Sequence, residues 1–567
     1  MFIPTTKQEL ARLGWDTLDV ILVTGDSYVD SSFIGVSVVG RVLLDAGYRV
    51  GIIAQPDIHS DRDIARLGEP ALFWGVTGGC IDSMVANYTA TKKPKRADDL
   101  TPGGANDRRP DRAVIVYANL IRRYFKATSP IVLGGVEASL RRMAHYDYWS
   151  DSIRRSILFD AKADLLVYGM AERTVLALAE RLRDGRSPED LRGICTITPE
   201  KRADMLELPS FEEVARDKQA FTQAFHTFYR NNDPLTAQTL CQRQDTRYLV
   251  QNPPALYLTQ PELDAVYEMD YERAQHPHYE RLGPVKALET IKFSLTSHRG
   301  CYGECSFCSI AVHQGRTVRW RSADSIVREA QRLTQFPDFK GTIQDVGGPT
   351  ANMYGFECEK KLVQGACEDK RCIYPEVCSQ MSVNHGVQLD LLRRLREIEG
   401  VKRVFVASGV RYDLLLEDKE HGIPYLKEVV AHHTSGQMKV APEHTEDHVL
   451  RRMGKSGGVG LLLRFRDLFR ELAKAAGKKQ FLTYYFIAAH PGCSERDMRV
   501  LKRFASRHLK ISPRQVQIFT PTPSTYSTLM YYTEMDPFTG EPLYVEKGLK
   551  GKARQKRILT DKSFGRS

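Results

Sequence analysis

The stretch TIKFSLTSHRGCYGECSFCSI (290–310) decides how the chain is read. Its first seven residues read as a strand. The strand runs directly into a loop with three cysteines, Cys301, Cys305 and Cys308, and the segment SADSIVREAQRL (322–333) that follows reads as a helix. A cysteine loop between a strand and a helix sits where parallel α/β sheets bind ligands, beyond the carboxyl ends of their strands. Working outward, GTIQDVG (341–347), RVFVASG (403–409), QMKVAP (437–442), FLTYYFIAA (481–489) and QVQIFTP (515–521) are further strand candidates separated by helical stretches. Six such strands suggest an incomplete barrel of parallel strands.

Clustered thiolates at short spacing suit an iron–sulfur cluster or zinc. A closed zinc site wants four ligands, and His313 is the local candidate for the fourth. The other reading is a [4Fe–4S] cluster with three irons bound by protein and one left open for a ligand.

The spacing C-x3-C-x2-C, with Phe307 before the last cysteine, resembles the signature of the radical S-adenosylmethionine (SAM) superfamily. The resemblance implies that SAM chelates the open iron and is cleaved reductively to a 5′-deoxyadenosyl radical, with Phe307 near the adenine. DVGGPTANMYG (345–355) resembles the superfamily's Gly-Gly-Glu loop through Gly347 and Gly348, with Pro349 where the family has an acidic residue. SGVRYD (408–413) and KVAPEH (439–444) fall at strand ends where the family binds SAM, which implies Ser408, Arg411 and Glu443 as cofactor-binding residues. With GGVEASLRRMAHYDYW, NPPALYLTQPELDAVY and HPHYE added, the pattern is similar to the YgiQ family of radical SAM proteins over most of the chain. No catalytic side chain and no substrate follow from it.

A second group, Cys358, Cys367, Cys372 and Cys378, lies in CEKKLVQGACEDKRCIYPEVC. Four thiols this close suit a second iron–sulfur cluster or a structural zinc, the other reading being reduced thiols with no metal. Cys80, Cys195, Cys241 and Cys493 are isolated.

Upstream, DVILVTG (19–25), YRVGIIAQ (48–55), PALFWGV (70–76), SPIVLGG (129–135) and ADLLVYG (163–169) read as buried strands alternating with helices, a doubly wound α/β sheet. Such a domain ahead of a radical SAM domain resembles a cobalamin-binding module. That module often carries Asp-x-His-x-x-Gly after its first strand. TGDSYVDSSFIG (24–35) has Asp26, Asp30 and Gly35 but no histidine, which argues against cobalamin. The basic run Lys92, Lys93, Lys95 and Arg96 reads as a solvated surface loop, or as a phosphate contact together with Asn87, Tyr88 and Thr89. His145, Tyr146, Asp147, Tyr148 and Trp149 suit base stacking or packing.

The expected layout is a doubly wound α/β, cobalamin-binding-like domain at 1–197 and a helical connector at 198–288. A radical SAM partial (β/α)6 barrel at 289–520, with a cysteine-rich insertion at 355–380, and a basic flexible C-terminal tail at 521–567 complete it. The 567 residues, 42% hydrophobic, are enough for more than one core. No secretory signal and no apolar run of roughly 18–20 residues is visible, so a cytoplasmic protein with no membrane partner is expected. Eleven cysteines are then metal ligands or free thiols rather than disulfides. The net charge of +11 permits an acidic partner such as RNA. The expected function is reductive cleavage of SAM acting on an unknown small molecule or RNA, with electrons from a flavodoxin or ferredoxin. The alternative is an RNA- or cofactor-binding protein with structural metal sites.

Overall fold

The computed structural model describes residues 1–561. The chain divides into two compact units, residues 1–258 with 265–292, and residues 259–264 with the chain from 293 onward.

In the N-terminal unit five strands lie parallel in the spatial order Val50–Ala54, Leu18–Thr24, Pro70–Thr77, Ile131–Gly134, Leu165–Val167. Numbered along the chain, this is the order 2-1-3-4-5 of a doubly wound sheet, with its switch point between Leu18–Thr24 and Pro70–Thr77. Val20, Ile21, Leu22 and Val23 are all buried. A strand covered on both faces carries such an unbroken apolar run. Helices Gly35–Asp45, Ala113–Tyr124 and Glu172–Arg183 alternate with these strands.

The segment 198–288, expected to be a helical connector, is part sheet. Ile194–Thr198 pairs antiparallel with Leu165–Val167, and the hairpin Leu240–Gln244 and Arg247–Gln251 extends the sheet beyond it, with Leu206–Leu208 at the edge. The hairpin does not read as strand because its buried positions include Gln242, Gln244 and Gln251. Their side-chain oxygens accept from the Ala144 amide (3.1 Å), the Ser156 amide (3.0 Å) and Arg142 Nε (2.8 Å). Buried amides whose oxygens are satisfied stand among the apolar side chains a strand usually shows.

In the C-terminal unit parallel pairing follows chain order. Leu295–Thr296 pairs with Val346–Gly347, Thr342–Ile343 with Arg403–Val404, and Val410 bridges to Val440. Gln437–Glu443 pairs with Phe481–Ala488, and that strand with Val516–Ile518. The strand expected at 290–296 is shorter, because Leu288–Ile291 is a helical turn.

The region from 521, expected to be a flexible tail, holds helices Tyr526–Thr533 and Leu549–Thr560. Lys and Arg dominate the second helix, but Gly551, Lys552, Gln555, Ile558 and Leu559 form one buried stripe. Gln555 accepts from the Ala489 amide at 2.9 Å and donates to the Cys493 carbonyl at 3.0 Å. The last six residues of the expected tail lie outside the described residues. Among the described residues no helix is long and apolar enough to cross a membrane.

Candidate metal centre

The cysteine loop is closed at its base by antiparallel pairing of His298–Arg299 with Arg319–Trp320. Gly300 has φ +83°, and a Cβ there would lie 2.5 Å from the Thr317 carbonyl oxygen, so the turn into the loop requires glycine. The Ser306 amide donates to the Met453 carbonyl at 2.9 Å, and the Ser527 amide to the Ser306 carbonyl at 2.8 Å. The loop is therefore fixed in shape by segments distant in sequence.

Gly303 shows how closely the thiols gather. A Cβ there would stand 3.2 Å from Cys301 Sγ, 3.5 Å from Cys305 Sγ and 3.1 Å from Arg411 Nη1. The Gly303 amide donates to Cys301 Sγ at 3.3 Å, and Thr350 Oγ1 lies 3.8 Å from the same sulfur. Burial, and then the Cys305 thiol, pushes Cys301 up. Burial, with Cys305 next, pushes Cys308 up to about 12. Two of these three thiols thus resist ionising without a compensating cation. A bound metal supplies that charge.

Arg411 is the fixed cation of the site. Its Nη1 reaches Cys305 Sγ at 3.9 Å, and its Nε donates to Asp413 Oδ1 at 2.9 Å, with Nη2 on the second carboxylate oxygen. Burial would raise the Asp413 carboxyl, but Arg411, Lys455 and the Ser456 hydroxyl hold it well below the usual range. Glu443 ends its strand at φ +65°, an αL conformation that costs energy outside glycine. Burial pushes its carboxyl up, while Lys455 and Arg411 pull the other way. Among the described residues that carboxylate has no hydrogen-bond partner. Asp413 and Lys455 were not singled out from sequence, although Asp413 stands two residues from Arg411 in SGVRYD.

Other expected residues have narrower roles here. The Ser408 hydroxyl is spent on Asp345, which also accepts the Ala407 amide at 2.7 Å and the Ser408 amide at 3.2 Å. Gly348 lies so close to His298 that a Cβ would stand 2.6 Å from its Nε2 and from its carbonyl oxygen. Gly347 lies beside Ser408, and Pro349 follows half-buried. Phe307 meets His490 edge-on at 6.3 Å, and His490 Nε2 pairs with Ser527 Oγ at 2.7 Å.

Among the described residues one group, Glu446, His448 and Asp497, has three ligand atoms within 4.8 Å of one another. Ligands of a zinc tetrahedron stand about 4 Å apart or less. Neither Cys301, Cys305, Cys308 and His313 nor the second cysteine group gathers that tightly. Cys358 belongs to an apolar cluster with Tyr302, Val318, Met353, Phe356, Ile373, Met381 and Leu414, and Cys372 and Cys378 pack against it. Cys195, Cys241 and Cys493 are buried and Cys80 is exposed.

In the N-terminal unit, Asp26 takes Arg109 Nη2 at 2.6 Å and the Cys80 amide at 2.6 Å, and Asp30 pairs with Arg41. The basic run is partly committed. Lys92 Nζ donates to the Trp149 carbonyl at 3.3 Å and lies 4.8 Å over the Tyr148 ring, and Lys95 Nζ donates to the Val85 carbonyl at 2.7 Å. The Tyr148 hydroxyl donates to the Ala90 carbonyl at 2.6 Å, so the aromatic segment packs on the basic loop. Asn87 Nδ2 and the Tyr88 hydroxyl both donate to Asp111.

Three buried imidazoles make stability depend on pH. Burial holds His298 at about 4, and His145 and His490 at about 3. In the unfolded chain each titrates near ~6.5. Their folded values are depressed, so their contribution is complete above ~6.5 and is lost as pH falls toward 4. For His298 that window is worth roughly 3 kcal/mol. A urea-midpoint series from pH 7 to 4 is expected to fall steadily below ~6.5. A flat series would contradict neutral buried histidines.

Comparison with known proteins places the chain in a family. Residues 2–294 match the family described as Radical SAM N-terminal. The UPF0313 protein FN0734 of Fusobacterium nucleatum is 56% identical, over 100% of both chains. The UPF0313 protein of Thermotoga neapolitana is 50% identical, again over 100% of both. Among solved structures, TsrM from Kitasatospora setae with cobalamin and a [4Fe–4S] cluster bound has TM-score 0.52 at 15% identity, covering 90% of this chain and 74% of TsrM. The cobalamin-dependent SAM radical enzyme OxsB with aqua-cobalamin bound has TM-score 0.50 at 14% identity, covering 93% of this chain and 57% of OxsB. Both share the α/β fold. They also correct the expectation against cobalamin, because proteins of this fold are solved with it bound. A corrin makes many contacts besides an axial ligand, so a histidine missing from residues 24–35 does not exclude it. Full-length identity and the matched N-terminal region together show that the chain belongs to the UPF0313 family, with a Radical SAM N-terminal domain at residues 2–294.

Proposed function

We propose that the C-terminal unit is a radical SAM catalytic module in which Cys301, Cys305 and Cys308 hold a [4Fe–4S] cluster and SAM binds its remaining iron. The observation that carries this reading is one short loop of three thiols, two pushed up by burial and by their neighbours, closed in by the Arg411 guanidinium. When bound, the reduced cluster and SAM supply a 5′-deoxyadenosyl radical and methionine.

The protein's own residues set the conditions. Arg411, oriented by Asp413, partly offsets the burial that disfavours a Cys301 thiolate. Pro349 brings no carboxylate to the Gly347–Gly348 loop, which leaves its backbone to meet the cofactor. The buried Glu443 carboxylate is then the acceptor for the SAM amino group or ribose hydroxyls. Ser408 acts through Asp345, holding the strand end in place. Phe307, backed by neutral His490, offers an aromatic edge for the adenine.

The parallel pairings in chain order support a partial barrel, and the 2-1-3-4-5 sheet supports a cobalamin-binding-like N-terminal domain. The carboxylates of Asp26 and Asp30 are held by arginines, so cobalamin there would take no ligand from them. The subgroup reading remains YgiQ, acting in the cytoplasm on a small molecule or RNA, with a flavodoxin or ferredoxin as electron donor.

The test is anaerobic reconstitution with iron and sulfide, followed by SAM and dithionite. 5′-Deoxyadenosine and methionine are expected, and colourless zinc protein without either product would defeat the reading. Glu443→Gln is expected to keep its iron and to weaken SAM binding about ten-fold or more, the worth of a charged hydrogen bond. Unchanged SAM affinity would remove Glu443 from the site.

A further inference from the structure

We propose that Cys358, Cys367, Cys372 and Cys378 hold a second iron–sulfur cluster, a [4Fe–4S] centre with all four ligands from the protein. The spacing puts four thiols within 21 residues, and the structure leaves all four free of disulfides. Three of them border one apolar cluster: Cys358 belongs to it, and Cys372 and Cys378 pack against it, as does Cys301 of the first loop. Cys367 lies on the segment that joins Cys358 to Cys372.

The segment is a built structure. The Lys361 and Leu362 amides donate to the Cys358 carbonyl, starting the helix Glu359–Gln364. The Cys378 amide donates to the Cys372 carbonyl at 2.8 Å, and the Met381 amide to the Cys378 carbonyl at 2.9 Å. Arg371 Nη1 reaches Ser306 Oγ at 3.4 Å, and its guanidinium lies 5.3 Å over the Tyr526 ring. The insertion is thereby anchored to the first cysteine loop.

The chemistry of the surroundings suits sulfur ligands. Lys361 is buried, held by the Arg316 carbonyl at 2.5 Å and Glu357 at 3.3 Å, and its Nζ reaches Cys372 Sγ at 3.5 Å. An apolar wall that excludes water is a recognised lever on iron–sulfur centres. These sulfurs form no group with ligand atoms within 4.8 Å of one another, whereas zinc would draw them together. A cube would take one thiolate on each of its irons.

The assignment does not depend on the first centre, and one variant separates the two. Wild type, Cys305→Ala and Cys372→Ser would be reconstituted anaerobically and analysed for iron, sulfide and zinc. Expected are about eight irons in wild type and about four in each variant. The reduced Cys305→Ala protein should give an electron paramagnetic resonance signal that SAM does not alter. Cys305→Ala without iron or sulfide would overturn the proposal, as would zinc bound stoichiometrically in wild type and lost in Cys372→Ser. If Cys372→Ser fails to fold, Cys305→Ala still decides, since it leaves the second group whole. Wild type with about four irons, all retained in Cys305→Ala, would support this centre while defeating the proposed SAM site.

Discussion

Cys305→Ala is expected to abolish 5′-deoxyadenosine formation and to lose the iron of the first cysteine loop. The loop offers three thiols, and among the described residues no other His, Cys, Asp or Glu forms a tight ligand group with them. Removing the middle thiol leaves two ligands for a cluster that needs three. It also strips Arg411 Nη1 of its sulfur contact at 3.9 Å, leaving a buried cation paired only with Asp413 and its partners. The fold itself should survive. The loop's shape is set by backbone bonds from Ser306 to Met453 and Ser527, and these do not pass through the thiol. The measurement is product formation per chain under dithionite, alongside circular dichroism. Product at more than about one part in a hundred of wild type would remove Cys305 from the ligand set, since even indirect metal partners are worth 10–100-fold. Arg411→Lys should be milder. It keeps the charge but loses the paired contact with Asp413.

The first cysteine loop was legible as a loop because its three thiols are neighbours in sequence, whereas the φ +83° that Gly300 needs at its turn shows only in the structure. The strand ends at Ser408, Arg411 and Glu443 were legible as positions, though not as roles. Ser408 turns inward to Asp345, and Glu443 takes a positive φ that no local pattern announces. The five-stranded parallel core was readable from its apolar runs. The hairpin 240–251 was not, because Gln242, Gln244 and Gln251 share its interior with Leu240, Cys241, Leu249 and Val250, and the amides of Ala144 and Ser156 with the side chain of Arg142, more than eighty residues away, make the glutamine positions strand-compatible. The C-terminal helix was hidden by composition. Charge dominates Leu549–Thr560, and its buried stripe has meaning only once the Ala489 and Cys493 backbone lies against Gln555.

Arg109→Met is expected to destabilise the N-terminal unit by about 3–5 kcal/mol, the cost of leaving a buried charge without its partner. Arg109 is fully buried at the carboxyl end of the first strand. Its Nε donates to the Gly25 carbonyl at 3.0 Å, Nη2 to Asp26 Oδ1 at 2.6 Å, and Nη1 lies 3.0 Å from Asp98. Without the guanidinium, two carboxylates remain in a site that excludes water. Burial, the largest influence, already pushes Asp26 up, Asp98 adds to it, and Arg109 is the main restraint. In the variant the folded state therefore holds protons on these carboxylates that the unfolded state releases, and their contribution to its stability rises as pH falls from 7 toward 5. That slope is opposite in sign to the histidine effect, so the difference between variant and wild type narrows on acidification. Trp15, Trp74 and Trp149, three of the four tryptophans, lie in this unit and report its urea unfolding by fluorescence. Asp26→Asn combined with Arg109→Met should recover part of the loss by removing one orphaned charge. A loss below about 0.5 kcal/mol, the scale of a surface substitution, or a difference that does not narrow with acid would mean that Arg109 and Asp26 are hydrated rather than buried together.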